Sequence, residues 1–164
     1  MKYDIIIAID PDTEESGVAR LDTKTRSFNI QTLPFPELLD YLQCVKEDCV
    51  KNGKSLIVLV EAGWVIQSNW HLKKGDNARI ACAKGNSTGR NHETGRKIVE
   101  MCKHYKIEVL THFPLKKHWK GKDGKITHEE LAYFTGIKKR TNQDARDAAL
   151  LAWNFAGFPI RMKV

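Results

Sequence analysis

Four acidic residues stand in unusual company. Asp10 follows the apolar run over residues 5–9, Glu61 follows the run over 56–60, and Asp144 and Asp147 lie three apart in the alanine-rich segment TNQDARDAALLAW. Side chains alternate across a strand, so Asp10 shares a face with Ile6 and Ala8, and Glu61 shares one with Ile57 and Leu59. Helical spacing puts Asp144 and Asp147 on one face with Ala148 and Leu151. If the two apolar runs are parallel neighbours, both carboxylates leave the sheet at the same edge, where open α/β sheets bind their ligands. A helix docked through small alanines brings its aspartates to that edge. Carboxylates gathered in a partly buried site repel one another unless cations neutralise them. Oxygen donors without paired His or Cys suit Mg²⁺, or Mn²⁺ in its place, better than zinc. The chemistry of such a cluster is two-metal phosphodiester hydrolysis, in which one ion acidifies the attacking water and the other stabilises the leaving 3′ oxygen. Taken singly, the same acids have plainer roles. Asp10 is then a turn former before Pro11, Glu61 a loop acid, Asp144 the partner of a Thr141 helix cap and Asp147 a surface residue.

The elements that must position these acids follow from periodicity. Residues 4–9 read as a buried strand; DPDTEESG and DTKT are turns, and strands at 18–21 and 27–32 complete a three-stranded antiparallel meander. Leu38, Leu39, Leu42, Val45 and Cys49 recur every three or four residues, which predicts a helix that stops at Gly53. Residues 56–60 form another buried strand. Periodicity is poor from 61 to 91, so a loop insertion is expected at 62–91, with at most a short helix near 77–82. Ile98, Val99, Cys102 and Tyr105 predict a helix over about 92–104, followed by a strand at 108–111. Thr127 with Glu130 resembles a capping box opening a short helix that ends at Gly136. Thr141 with Asp144 is expected to open the last helix, which closes at Gly157 and Pro159. The fold class is therefore α/β, a mixed five-stranded sheet flanked by helices, in a single domain spanning 1–164.

Composition bounds the partners. The chain has 164 residues, with 27 Lys and Arg against 20 Asp and Glu, a net charge of +7. That excess leans toward a polyanion such as nucleic acid. No apolar run approaches the roughly 20 residues needed to span a bilayer, so no membrane role is expected. MKYDIII lacks the layout of a signal peptide, which predicts a cytoplasmic protein. Cys44, Cys49, Cys82 and Cys102 form no Cys-x-x-Cys pair and read as free thiols. No Walker-type glycine loop occurs, so no nucleotide cofactor is expected.

These motifs, in this order, resemble the RuvC-type Holliday junction resolvases of the RNase H-like nuclease superfamily. AIDPDTEESG is similar to the family's first-strand motif and makes Asp10 the first metal ligand. VLVEAG resembles the strand that ends in a catalytic Glu, here Glu61. NQDARDAALLAW resembles the closing helix with two acids three apart, here Asp144 and Asp147. TGRKIVEMC and the strand after it support the order. The resemblance implies an RNase H-like domain that binds two Mg²⁺ ions per site and works as a homodimer. It also implies symmetric nicking of a four-way junction that leaves ligatable 5′ phosphates. A bacterial cell, with a phage or prophage version of the enzyme, is the implied setting. Two features depart from the family pattern: the first turn is unusually acidic, and the stretch after Glu61 is longer.

That longer stretch carries Trp64, Trp70, His71, Lys73 and Lys74. Interleaved aromatic and basic residues stack on exposed bases and neutralise phosphates, the expected task of Trp64 and Trp70 unless they cover the core. Lys116, Lys117, Lys120, Lys122 and Lys125 form a second basic run suited to duplex arms. By resemblance, Lys116 or Lys117 orders the attacked phosphate. Lys138, Lys139 and Arg140 are further phosphate contacts. Arg146 either pairs with an acid or reaches DNA, and His92 is a candidate for orienting water. Besides junction resolution, the same features suit a flap or fork nuclease of this fold, or a noncatalytic protein that binds branched DNA.

Overall fold

A computed structural model of the chain describes residues 2–66 and 73–161. Three strands come first, β1 (Ile5–Asp10), β2 (Ser16–Asp22) and β3 (Ser27–Leu33). Helix α1 (Phe35–Lys51) leads to β4 (Leu56–Glu61), and α2 (Ala78–His104) leads to β5 (Val109–His112). Helices α3 (His128–Thr135) and α4 (Gln143–Phe155) follow. The sheet order is β3-β2-β1-β4-β5. Short turns make β1, β2 and β3 antiparallel neighbours, whereas the α1 and α2 crossovers make β1, β4 and β5 parallel. This is the mixed five-stranded sheet flanked by helices that the sequence leads one to expect.

The alternation of β1 sorts the core into two layers. Ile5, Ile7 and Ile9, with Val58 and Val60, pack against Leu38, Leu42 and Cys49 of α1 and Ile98 and Cys102 of α2. Ile6, Ala8, Ile57 and Leu59 face the other way, onto Leu151, Ala152 and Trp153 of α4. Burying each large aliphatic side chain stabilises the fold by about 1.5–3 kcal/mol, so this alternation fixes which face of β1 and β4 is turned to α4. Helix α4 lies on the sheet through Ala145, Ala148, Ala149 and Ala152, all buried. Small side chains let its backbone come close.

One glycine decides how close. A Cβ on Gly17 would stand 2.2 Å from the Asp144 carbonyl carbon and 2.6 Å from the Ala145 nitrogen. No real side chain tolerates such separations, so the bare Gly17 backbone is what admits the first turn of α4. Gly17 is also the ladder partner of Asp10 across β1 and β2. Sheet register and helix docking thus meet at one position.

The structure departs from the expected elements in two places. Residues 78–91, expected in an irregular stretch, are the first half of α2, which runs unbroken from Ala78 to His104. Its buried residues are Gly95, Ile98 and Cys102, all in the second half. The first half therefore has no apolar stripe to betray it, and it propagates from the packed half at little cost. Asn77 caps the start by accepting from the Ile80 nitrogen. At α4 the cap is Asn142, which accepts from the Ala145 nitrogen at 3.0 Å, and not Thr141. The Thr127 and Glu130 capping box and the left-handed Gly136 cap of α3 are present as expected. All four cysteines are free, and burial pushes the Cys102 thiol up to about 12, which keeps it inert. No described helix is long and apolar enough to cross a membrane.

Candidate active site

Asp10 and Glu61 end β1 and β4, which are adjacent and parallel, so both carboxylates emerge at the same sheet edge on the α4 side. The first turn of α4, held against Gly17, brings up Asp144, and Asp147 follows one turn later. All four line a single cleft of about 770 Å³. Lys73, Lys84, Asn91 and His92 form one wall, and Lys116, Lys117, Trp119 and Lys125 form the other. The cleft has an acid floor and two basic walls.

The floor is electrostatically strained. Enclosure by protein holds the Asp10 carboxyl well above the ordinary carboxylate range, and the charges of Glu61, Asp147 and Asp144 push it further. Burial likewise raises Glu61, with Asp147 adding to it, to about 7, although Lys117 and Lys125 pull the other way. Asp144 is raised by burial too, against Lys125, with Asp12 and Asp147 contributing. Such groups carry charge only when a cation offsets their repulsion.

Lys125 supplies one such charge from within. Its ammonium lies 3.4 Å from Asp147 Oδ2. Burial disfavours the charged lysine, yet Asp147, Asp10 and Asp144 together outweigh burial and raise its pKa. The other Asp147 oxygen accepts a 2.8 Å hydrogen bond from Gln143 Nε2. Both oxygens of Asp147 are thus engaged, and no three Asp, Glu, His or Cys side chains among the described residues are placed to hold a metal ion as they stand. The donor chemistry nevertheless fits Mg²⁺ or Mn²⁺. Four hard carboxylates, two of them strongly destabilised in charged form, surround a water-accessible cleft, and exchange of Lys125 for a divalent ion would free Asp147.

The acidic first turn is accommodated. Asp12 Oδ2 accepts from Asn91 Nδ2 at 3.0 Å, and Asn91 Oδ1 accepts from the Thr13 nitrogen, which ties the turn to α2. Glu15 accepts from the Thr32 hydroxyl at 3.0 Å, on the β3 side. Arg146 forms no ion pair with an acid among the described residues. Its guanidinium donates to the carbonyls of Thr141 and Ile126 and to Gln143 Oε1, fastening the start of α4.

The expected DNA-contacting residues divide. Lys73, Lys116 and Lys117 line the cleft, whereas Lys74, Lys120 and Lys122 do not. Lys138 and Lys139 line a separate groove, and Arg140 pairs with Glu129 at 3.2 Å. Trp64, for which stacking on bases and covering the core were both open, packs on the core under α1 and α2. Its ring lies so close to Gly95 that a Cβ there would come within 2.4 Å. Trp64 is thus half-buried against the core. Trp70 and His71 lie outside the described residues. Sequence reasoning counted Lys125 only as one of a basic run, because nothing local distinguishes it from its neighbours. Gln143 was legible in principle, since it stands four residues before Asp147 on a helix.

Fold and cleft together define an α/β domain, a mixed five-stranded sheet flanked by helices, with a carboxylate cleft where two parallel strands meet the closing helix. No protein-family model matches the chain, and no curated protein matches it. Among solved structures, one match is T. thermophilus RuvC in complex with Holliday junction substrate, at 12% sequence identity and a TM-score of 0.45. It covers 90% of this chain and 89% of that chain. A likeness at that level assigns no residue and no substrate here.

Proposed function

We propose that this protein is a divalent-metal-dependent endonuclease that cleaves branched DNA, the four-way junction above all. The observation that carries the reading is the convergence of Asp10, Glu61, Asp144 and Asp147, from three elements far apart in sequence, on the floor of one cleft with basic walls. A fold does not keep mutually repelling, water-stripped carboxylates for stability, because each raised pKa is a cost to folding at neutral pH.

In this reading the four carboxylates would hold two Mg²⁺ ions, or Mn²⁺ in their place, which would supply activation of a water and charge neutralisation at the leaving oxygen. The chain's own residues do the rest. Gln143 orients Asp147, Lys125 neutralises it until the metal takes its place, and Lys116 and Lys117 line the cleft, where they neutralise phosphates on either side of the cut. Asn91 fastens the first turn to α2 through Asp12 and Thr13 at the side of the cleft. A four-way junction presents two strands for symmetric cutting, and all four acids of this chain share one cleft, so two cuts call for a homodimer.

The test is Mg²⁺-dependent nicking of a synthetic four-way junction by the wild type and by Asp10→Asn. The amide keeps size and loses charge, so the rate should fall by about three orders of magnitude while DNA binding persists. Equal rates for the two proteins would overturn the site. Binding of the junction with no wild-type cleavage in Mg²⁺ or Mn²⁺ would establish a noncatalytic branched-DNA-binding protein instead. A preference for flaps or forks over four-way junctions in the same assay would reassign the substrate and leave the site intact.

A further inference from the structure

A second groove, of about 490 Å³, runs between the outer edge of β3 and the connection from α3 to α4. Arg26, Lys138 and Lys139 line it, with no acid among the lining residues. All three are exposed, and none has an ion pair among the described residues, whereas Arg140 beside them is paired with Glu129. Arg26 is held in place by an uncharged partner, its guanidinium lying 4.7 Å above the Phe158 ring. Its charge is thus positioned and still available.

Polar groups without partners accompany these cations. β3 pairs only with β2, so its outer edge presents unpaired backbone donors alongside Asn29. Thr141 also lines the groove, and its hydroxyl is sealed from solvent with no hydrogen-bond partner among the described residues. Three unpaired cations, free sheet-edge amides and no carboxylate match a run of phosphates, not a peptide or an apolar ligand. Thr141 stands three residues before Asp144, so the groove begins within about 10 Å of chain from the carboxylate cleft. A duplex strand carries a phosphate about every 3.4 Å along its axis and would bridge that distance in a few nucleotides.

We propose that this groove is a second phosphate-backbone site, holding the duplex arm that flanks the cleaved strand. The proposal rests on the nuclease reading and adds where the arm is gripped. The experiment is fluorescence anisotropy of junction binding without divalent metal, as a function of salt, for the wild type and for the triple variant Arg26→Ala, Lys138→Ala, Lys139→Ala. Loss of three phosphate contacts should lower the slope of log K against log salt by about 2 to 3. The double variant Lys138→Arg, Lys139→Arg with Arg26 intact should keep the wild-type slope. Shortening the arms should weaken the wild type and leave the triple variant unchanged.

Wild-type protein that binds no branched DNA would defeat the nuclease reading itself. Wild-type binding with an unchanged slope in the triple variant would overturn the groove alone. So would an unchanged slope together with altered self-association, which would make the β3 edge a contact between copies of the chain. The altered side chains are exposed, and melting temperatures within a degree or two of the wild type would show that folding is not what the binding assay reads.

Discussion

Glu61→Gln should make the metal-free protein more stable at neutral pH even as it destroys the proposed activity. In the folded chain burial raises this carboxyl to about 7 from the ordinary value of 4.5. Between those two values the unfolded chain has released the proton and the folded chain has kept it, so the folded state binds more protons and stability falls as pH rises. The favourable contribution is complete below about pH 4.5 and is lost progressively as pH rises through 7. A gap of about 2.5 pH units at about 1.36 kcal/mol each amounts to about 3 kcal/mol. Glutamine cannot ionise, so the variant should lack this slope and exceed the wild type by about 2–3 kcal/mol near pH 8. The assay is urea unfolding of both proteins in EDTA across about pH 4.5 to 8. Saturating Mg²⁺ should then narrow the difference, since an ion at 100 times its Kd stabilises the wild type by about 2.7 kcal/mol. Parallel stability curves for the two proteins in EDTA would refute the claim that this carboxylate is held against its own desolvation.

Two further outcomes follow from the packing and charges around the cleft. Gly17→Ala forces a methyl group into the backbone of Asp144 and Ala145, so it should cost about 1–3 kcal/mol in thermal unfolding and lower the nicking rate by displacing Asp144; an unchanged melting temperature would mean that α4 is not seated on this residue. Lys125→Met removes the internal cation that neutralises Asp147, so the metal-free protein should melt lower while Mn²⁺ binds about tenfold tighter by calorimetry. Unchanged Mn²⁺ affinity would show that lysine and metal do not compete.

What was legible in the sequence was whatever depends on local covalent geometry. Alternation along β1 and β4 placed Asp10 with Ile6 and Ala8, and Glu61 with Ile57 and Leu59, and the α4 side of the sheet buries those residues. Capping chemistry identified the start and end of α3, and helical spacing put Asp144 and Asp147 on one face. The polar half of α2 was not legible, because a helix that buries nothing leaves no periodic trace and borrows its stability from the packed half beyond Gly95.

Only the tertiary structure decided which distant groups meet. Gly17 carries no sequence mark of the backbone it touches, and the docking of α4 on β2 gives it its role. Arg146 could have sought an acid or a phosphate, and it instead fastens carbonyls that the fold brings within reach. Lys125 is one lysine of a run until the chain folds back and sets its ammonium beside Asp147. Periodicity is a property of neighbours a few residues apart, whereas the free energy of a charge depends on everything within a Debye length, and that company is assembled only when the sheet closes over its helices.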